Sequence, residues 1–118
     1  MNIKSQLARQ WQEYPSTHQS RLNLVIHVVS VPIFMLASYL VVCSVCLLSL
    51  QKLAVGISLI ISVIALQGYG HSLELNKARA FGGVGDFLSR ILLEQWVTFP
   101  RYLFAKLSKN GRTKKRNL

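Results

Sequence analysis

Two long apolar runs dominate the chain. From Leu24 to Leu50, and again from Leu53 to Gly70, no Asp, Glu, Lys or Arg occurs. Each run is close to the ~20 residues that cross a bilayer as a helix, and charges at that depth are costly. The pattern predicts two membrane-spanning helices, at about 24–50 and 53–71, with a tip at Gln51-Lys52. No small-residue cleavage pattern follows the first run, so a retained anchor is expected rather than a signal peptide. In the second run Ala54, Ser58 and Ser62 recur every four residues. Such a stripe of small side chains predicts close packing on the first span.

The flanks follow a helical period with weaker hydrophobicity. Ile3, Leu7, Trp11 and Tyr14 recur at three- and four-residue spacing, with Lys4, Arg9, Gln12 and Glu13 on the other side. This predicts an amphipathic helix in the headgroup region, ended by Pro15. Ser16, with Gln19 three residues on, is the expected cap of the next helix. Beyond the second span, Gly82-Gly83-Val84-Gly85 reads as a flexible hinge. Asp86, Arg90 and Glu94, spaced by four, predict ion pairs along a further helix that Pro100 interrupts. The expected fold is an all-α membrane protein, a two-span transmembrane helical hairpin with flanking amphipathic interfacial helices. Its parts are an interfacial helix over 1–15, an integral membrane domain over 16–107 with a third amphipathic or re-entrant helix at about 86–107, and a basic disordered tail over 108–118.

Composition agrees. The chain has 118 residues, 51% of them apolar and only 15% charged, against roughly 25% charged in a soluble domain. Its net charge is +10, and six of the fourteen basic residues fall in the last thirteen positions. With two spans both ends share one side, and the basic excess places that side in the cytoplasm. A bacterial inner membrane is the expected setting, or the endoplasmic reticulum in a eukaryote. The tail is expected to touch anionic lipid headgroups; no aromatic side chain is interleaved to stack bases, so nucleic acid is not an expected partner. Two spans bury little area alone, which makes a homodimer an expected assembly. Cys43 and Cys46 are expected in mid-span as small hydrophobes, since no second cysteine pair completes a metal site.

The candidate chemistry lies at the membrane exits. The chain has three histidines and four acidic residues. His71 and Glu74, three apart at the end of the second run, share a helix face. Asn23 and His27 share a face at the start of the first. His18 and His27 are nine apart, about half a turn out of phase, so either the helix is irregular between Ser16 and Arg21 or the two differ in role. About the expected tip, His71 lies level with Pro32 and Glu74 with Val29, which puts the second motif in one layer with His27. Imidazoles plus a carboxylate suit a divalent metal: mononuclear non-haem Fe(II), with Zn(II) as the rival. A haem held by His27 and His71 has no supporting pattern, and no hydrolase elbow, phosphate-cradling loop or H-E-x-x-H occurs.

Two motifs carry a resemblance: Tyr14-x3-His18-x4-Asn23-x3-His27-x4-Pro32, and Gln67-x2-Gly70-His71-x2-Glu74 followed by Lys77. With these motifs the sequence resembles the small membrane family of 2-hydroxy fatty-acid dioxygenases, known in yeast for turning phytosphingosine into odd-numbered fatty acids. The likeness covers residues 14–77 and touches Asp86-Phe87-Leu88 and Phe99-Pro100. It departs where Ala78 and Ala80 stand in place of a proline common in the family. The resemblance implies an Fe(II)-dependent dioxygenase of fatty-acid α-oxidation that shortens a 2-hydroxy fatty acid by one carbon with O2. On that reading His18, His27 and His71 bind iron, and Glu74 is a fourth ligand or orients a histidine. Tyr14 and Asn23 support the ligands from behind, and Arg21, Lys77 or Arg79 holds the substrate carboxylate. The alternative is a non-enzymatic membrane protein, holin-like or an assembly subunit with a lipid-binding basic tail, which needs no histidine cluster.

Overall fold

The structure, a computed structural model, describes residues 2–116, and side chains as far as Asn110. Every regular element among the described residues is a helix, with no strand among them. The helices are α1 (Ile3–Thr17), α2 (Arg21–Cys46), α3 (Leu50–Ser72), α4 (Val84–Leu93) and α5 (Phe99–Arg116), the last two joined by a wide π turn at Glu94–Thr98. The chain forms two compact units, one of Pro15–Ala80 and one of Met1–Tyr14 with Phe81–Leu118.

The first unit is the hairpin of α2 and α3, both long and apolar enough to cross a membrane. Only 28% and 22% of their most apolar stretches are buried. The core helix of a soluble protein is covered on most sides, whereas these leave apolar faces open, as lipid contact requires. One stripe of α2 is buried, running through Ile26, His27, Ser30, Val31, Phe34 and Ala37, the three- and four-residue recurrence of a helix face. It meets Gly56, Val63, Gln67 and Gly70 of α3. A Cβ at Gly56 would lie 2.7 Å from Val41 Cγ2 and 3.2 Å from the Ala37 carbonyl, so the missing side chain permits close approach there. Buried between the helices, Gln67 Nε2 donates to Ser30 Oγ at 2.8 Å.

Several expectations are corrected. Ala54, Ser58 and Ser62 are exposed. Positions two apart on a helix point nearly opposite ways, so a contact face through Gly56 turns Ala54 outward. The tip lies at Leu47–Ser49, earlier than Gln51-Lys52. Ser49 ends the turn by donating its N–H to the Ser44 carbonyl, and its hydroxyl caps α3. Leu48 there adopts a left-handed φ of 53° and is almost fully exposed. The earlier tip shifts the register: Gln67 meets Ser30, and His71 faces the turn of His27 rather than Pro32. It also puts Cys43 and Cys46, both free thiols, in the last turn of α2 instead of mid-span.

Pro15 does not end α1, which continues to Thr17. A proline so near the end forfeits a single helical hydrogen bond. Ser20, not Ser16, caps α2, accepting the Asn23 N–H at 3.3 Å. The chain between Thr17 and Arg21 is non-helical, which is the first of the two alternatives that the phase of His18 and His27 left open.

In the second unit, α1 packs through polar side chains. Gln6, Gln10 and Tyr14 stand one turn apart. Gln6 Nε2 donates to Ser89 Oγ at 3.2 Å and Gln10 Nε2 to the Arg90 carbonyl at 2.9 Å. Thr98 Oγ1 donates to Gln10 Oε1 at 2.6 Å, and Tyr14 Oη to Glu94 Oε1 at 3.2 Å. The Arg101 guanidinium covers the Trp11 ring at 4.0 Å. Gly83, expected in a flexible hinge, is the N-cap of α4 at φ 155°, a conformation that favours glycine. Asp86 accepts the Gly82 N–H and pairs with Arg90. Pro100 does not interrupt the run: it has no N–H to continue the ladder, and the chain widens before it so that Phe99 N–H bonds the Glu94 carbonyl five residues back. Helix α5 continues to Arg116 through the segment expected to be disordered; its lysines and arginines are good helix formers once a helix is started. Residues 117 and 118 of that tail lie outside the described residues.

Candidate metal centre

Three segments of the Pro15–Ala80 unit bring the histidines together. His18 lies in the non-helical link before α2, His27 two turns into α2, and His71 in the last turn of α3. Their ring centroids are 4.9 Å apart for His18 and His27, 4.7 Å for His18 and His71, and 5.0 Å for His27 and His71. Each pair is close to perpendicular, at 82–85°. One ring nitrogen from each lies within 4.8 Å of the others. His18 and His27 are buried and His71 is half-buried. Nε2 of His18, Nε2 of His27 and Nδ1 of His71 are shielded from solvent.

The tautomer of His27 follows from its partner. Nδ1 is 2.9 Å from the Asn23 carbonyl, which only accepts, so the proton sits on Nδ1 and the lone pair is on Nε2. A metal-ligating histidine is commonly held in this way. His18 Nδ1 is 3.0 Å from the Thr17 hydroxyl. Three imidazoles from three segments, held edge to face in a largely buried layer, form a donor set that suits Fe(II) or Zn(II).

Glu74 stands beside this layer with its carboxylate turned to the start of α2. Oε2 accepts the Gln19 N–H at 2.9 Å, and Oε1 accepts the Ser20 N–H at 2.8 Å and Asn23 Nδ2 at 3.0 Å. Burial opposes its ionisation, but the hydrogen bonds from Asn23, Ser20 and Gln19 and the neighbouring His18 outweigh burial and hold its carboxyl below the usual range. Asn23 is fully buried.

The other residues singled out in the sequence are placed as follows. Tyr14 belongs to the second unit and bonds Glu94; burial, then the Glu94 carboxylate, push its phenol well above the ordinary value. Arg21, Lys77 and Arg79 are exposed, with Lys77 Nζ donating to the Ser72 carbonyl at 2.8 Å. Sequence reasoning missed Ser20 and Ser30. Ser20 was legible as a hydroxyl three residues before Asn23. Ser30 was not, because only the register with Gln67 reveals it.

The fold and site define an all-helical protein whose hairpin of two helices, each long and apolar enough to cross a membrane, carries a candidate metal centre of three converging histidines at its open end. A family model described as 2-hydroxy-palmitic acid dioxygenase Mpo1-like matches residues 4–99, and the chain belongs to this Mpo1-like family. No curated protein and no solved structure matches it.

Proposed function

We propose that the protein is an Fe(II)-dependent membrane dioxygenase that shortens a 2-hydroxy fatty acid by one carbon with O2. The observation that carries this reading is the convergence of His18, His27 and His71 at the open end of an apolar hairpin. Family membership supports the substrate class. Fe(II) held by the three imidazoles supplies the redox chemistry that lets O2 react with a 2-hydroxy acid, which a zinc ion in the same ligands does not.

The chain's own residues do the rest. His27 presents Nε2 because Asn23 holds its Nδ1 proton. Burial of His18 and His27 keeps bulk water from the ligands. The acyl tail lies along the open apolar faces of α2 and α3, and the substrate carboxylate meets exposed cations at the same end, from among Arg21, Lys77 and Arg79. The termini are cytoplasmic on this reading, with Lys52 near the opposite face.

The test is turnover. Protein purified anaerobically with Fe(II) converts 2-hydroxyhexadecanoate to the fatty acid one carbon shorter when O2 is admitted, and zinc-loaded protein does not. Folded, iron-loaded protein that leaves every 2-hydroxy acid unchanged contradicts the reading.

A further inference from the structure

The three ligand-bearing segments share one fastening, the Glu74 carboxylate. It sits just beyond α3, three residues after His71. Its partners are the N–H groups of Gln19 and Ser20, directly after His18, and the side chain of Asn23. The backbone carbonyl of Asn23 in turn accepts from His27 Nδ1. A single carboxylate therefore ties the position of His18, the first turn of α2 that orients His27, and the end of α3 that carries His71. All three of its partners donate, so both oxygens are occupied as acceptors, and an ionised carboxylate is the group that suits three donors.

We propose that Glu74 is a positioning residue for the three-histidine centre: it clamps the start of α2 to the end of α3 so that the imidazoles converge, and it does not itself bind the metal. This rests on the histidines being metal ligands. It gives a role to the second half of the His71-x2-Glu74 motif that spacing alone left open. Gly70 belongs to the same device: a Cβ there would collide with Asn23 Oδ1, so glycine lets Asn23 reach Glu74 past α3.

The test is Co(II) binding to the full chain in detergent, followed by its visible absorption, for the parent, Glu74→Gln, the double variant Asn23→Asp/Glu74→Gln, and His71→Ala. Glutamine has one acceptor oxygen for three donors, so Glu74→Gln turns an NH2 group towards an N–H. The double variant reverses the side-chain pair, with an amide at position 74 donating to a carboxylate at position 23, and keeps the net charge. The parent is expected to bind Co(II), and Glu74→Gln to bind ~10–100-fold more weakly, the range for losing a group that orients metal ligands. At saturation its absorption bands are unchanged, because the ligands are the same, and the double variant recovers part of the affinity, since it restores the side-chain pair but leaves the Ser20 N–H facing the amide. Binding by Glu74→Gln within twofold of the parent overturns the clamp. Altered bands at saturation with no recovery in the double variant also overturn it, by making Glu74 a ligand. Absence of Co(II) binding by the parent, or parent-like binding by His71→Ala, overturns the metal reading and the clamp with it. Those outcomes are distinct from a Glu74 variant that alone behaves as the parent.

Discussion

Gly70 and Asn23 touch so closely that a Cβ at position 70 would overlap the Asn23 amide oxygen and lie 3.2 Å from its Cγ. The contact ties the helix carrying His71 to the residue that orients His27. Gly70→Ala gains helix propensity worth about 1 kcal/mol against an overpacking cost of ~1–3 kcal/mol, so it is expected to lower stability by a net ~0–2 kcal/mol. It also displaces Asn23 from Glu74. Thermal unfolding in detergent, with metal affinity measured alongside, checks both effects; parent-like values for both contradict the contact.

Gly56 sets the spacing of the hairpin further along. Gly56→Leu forces a side chain into Val41 and the Ala37 carbonyl and is expected to lose ~1–3 kcal/mol or more. Ser58→Leu, on the exposed face, is expected to change stability by less than about 0.5 kcal/mol. The reverse order would show that the small-residue stripe, and not the glycine, faces α2.

The Gln67–Ser30 bond joins the spans where water is scarce. Interhelical hydrogen bonds in membranes average about 0.6 kcal/mol, because polar side chains find other partners when separated. A double-mutant cycle with Gln67→Leu and Ser30→Ala is expected to give a coupling of ~0.5–2 kcal/mol. A coupling near zero removes the bond from the account.

The Tyr14 phenol is raised by burial and by the Glu94 carboxylate. A raised folded value contributes stability that is complete below the unfolded pKa of about 10 and is lost as pH rises from there through the folded value. The parent is therefore expected to lose stability above about pH 10 more steeply than Tyr14→Phe. The phenylalanine variant lacks the Glu94 bond and is less stable at pH 7 by ~1–2 kcal/mol. Parallel stability curves for the two proteins above about pH 10 contradict the assignment.

The sequence made the two spans legible because an uncharged run of bilayer length has few other uses. It also made the histidine layer legible, because all three histidines flank span ends. What it hid was register. Placing the tip at Gln51-Lys52 assumed that charge marks the turn, whereas the turn is made by Leu47–Ser49, with Leu48 in a left-handed conformation that composition does not signal. The small-residue stripe misled for a related reason: serines on a membrane helix can satisfy themselves, as Ser62 does on the Ser58 carbonyl at 2.8 Å, and so need no helix partner. Glu74 was legible as important but not in its role, since three donors from the start of α2 reach it only once the hairpin is closed. The polar ladder of Gln6, Gln10 and Tyr14 was obscured by the apolar stripe of Ile3, Leu7 and Trp11 on the same helix, which matched the pattern of a lipid-surface helix.

Metal content decides whether His18, His27 and His71 form one centre. The protein is purified anaerobically in mild detergent with Fe(II) supplied, beside His18→Ala, His27→Ala and His71→Ala, each confirmed as folded by its helical signal and monodispersity. Iron close to one per chain is expected in the parent, and its loss in all three variants. A folded parent without metal, or any one variant that keeps its iron, contradicts the three-histidine centre.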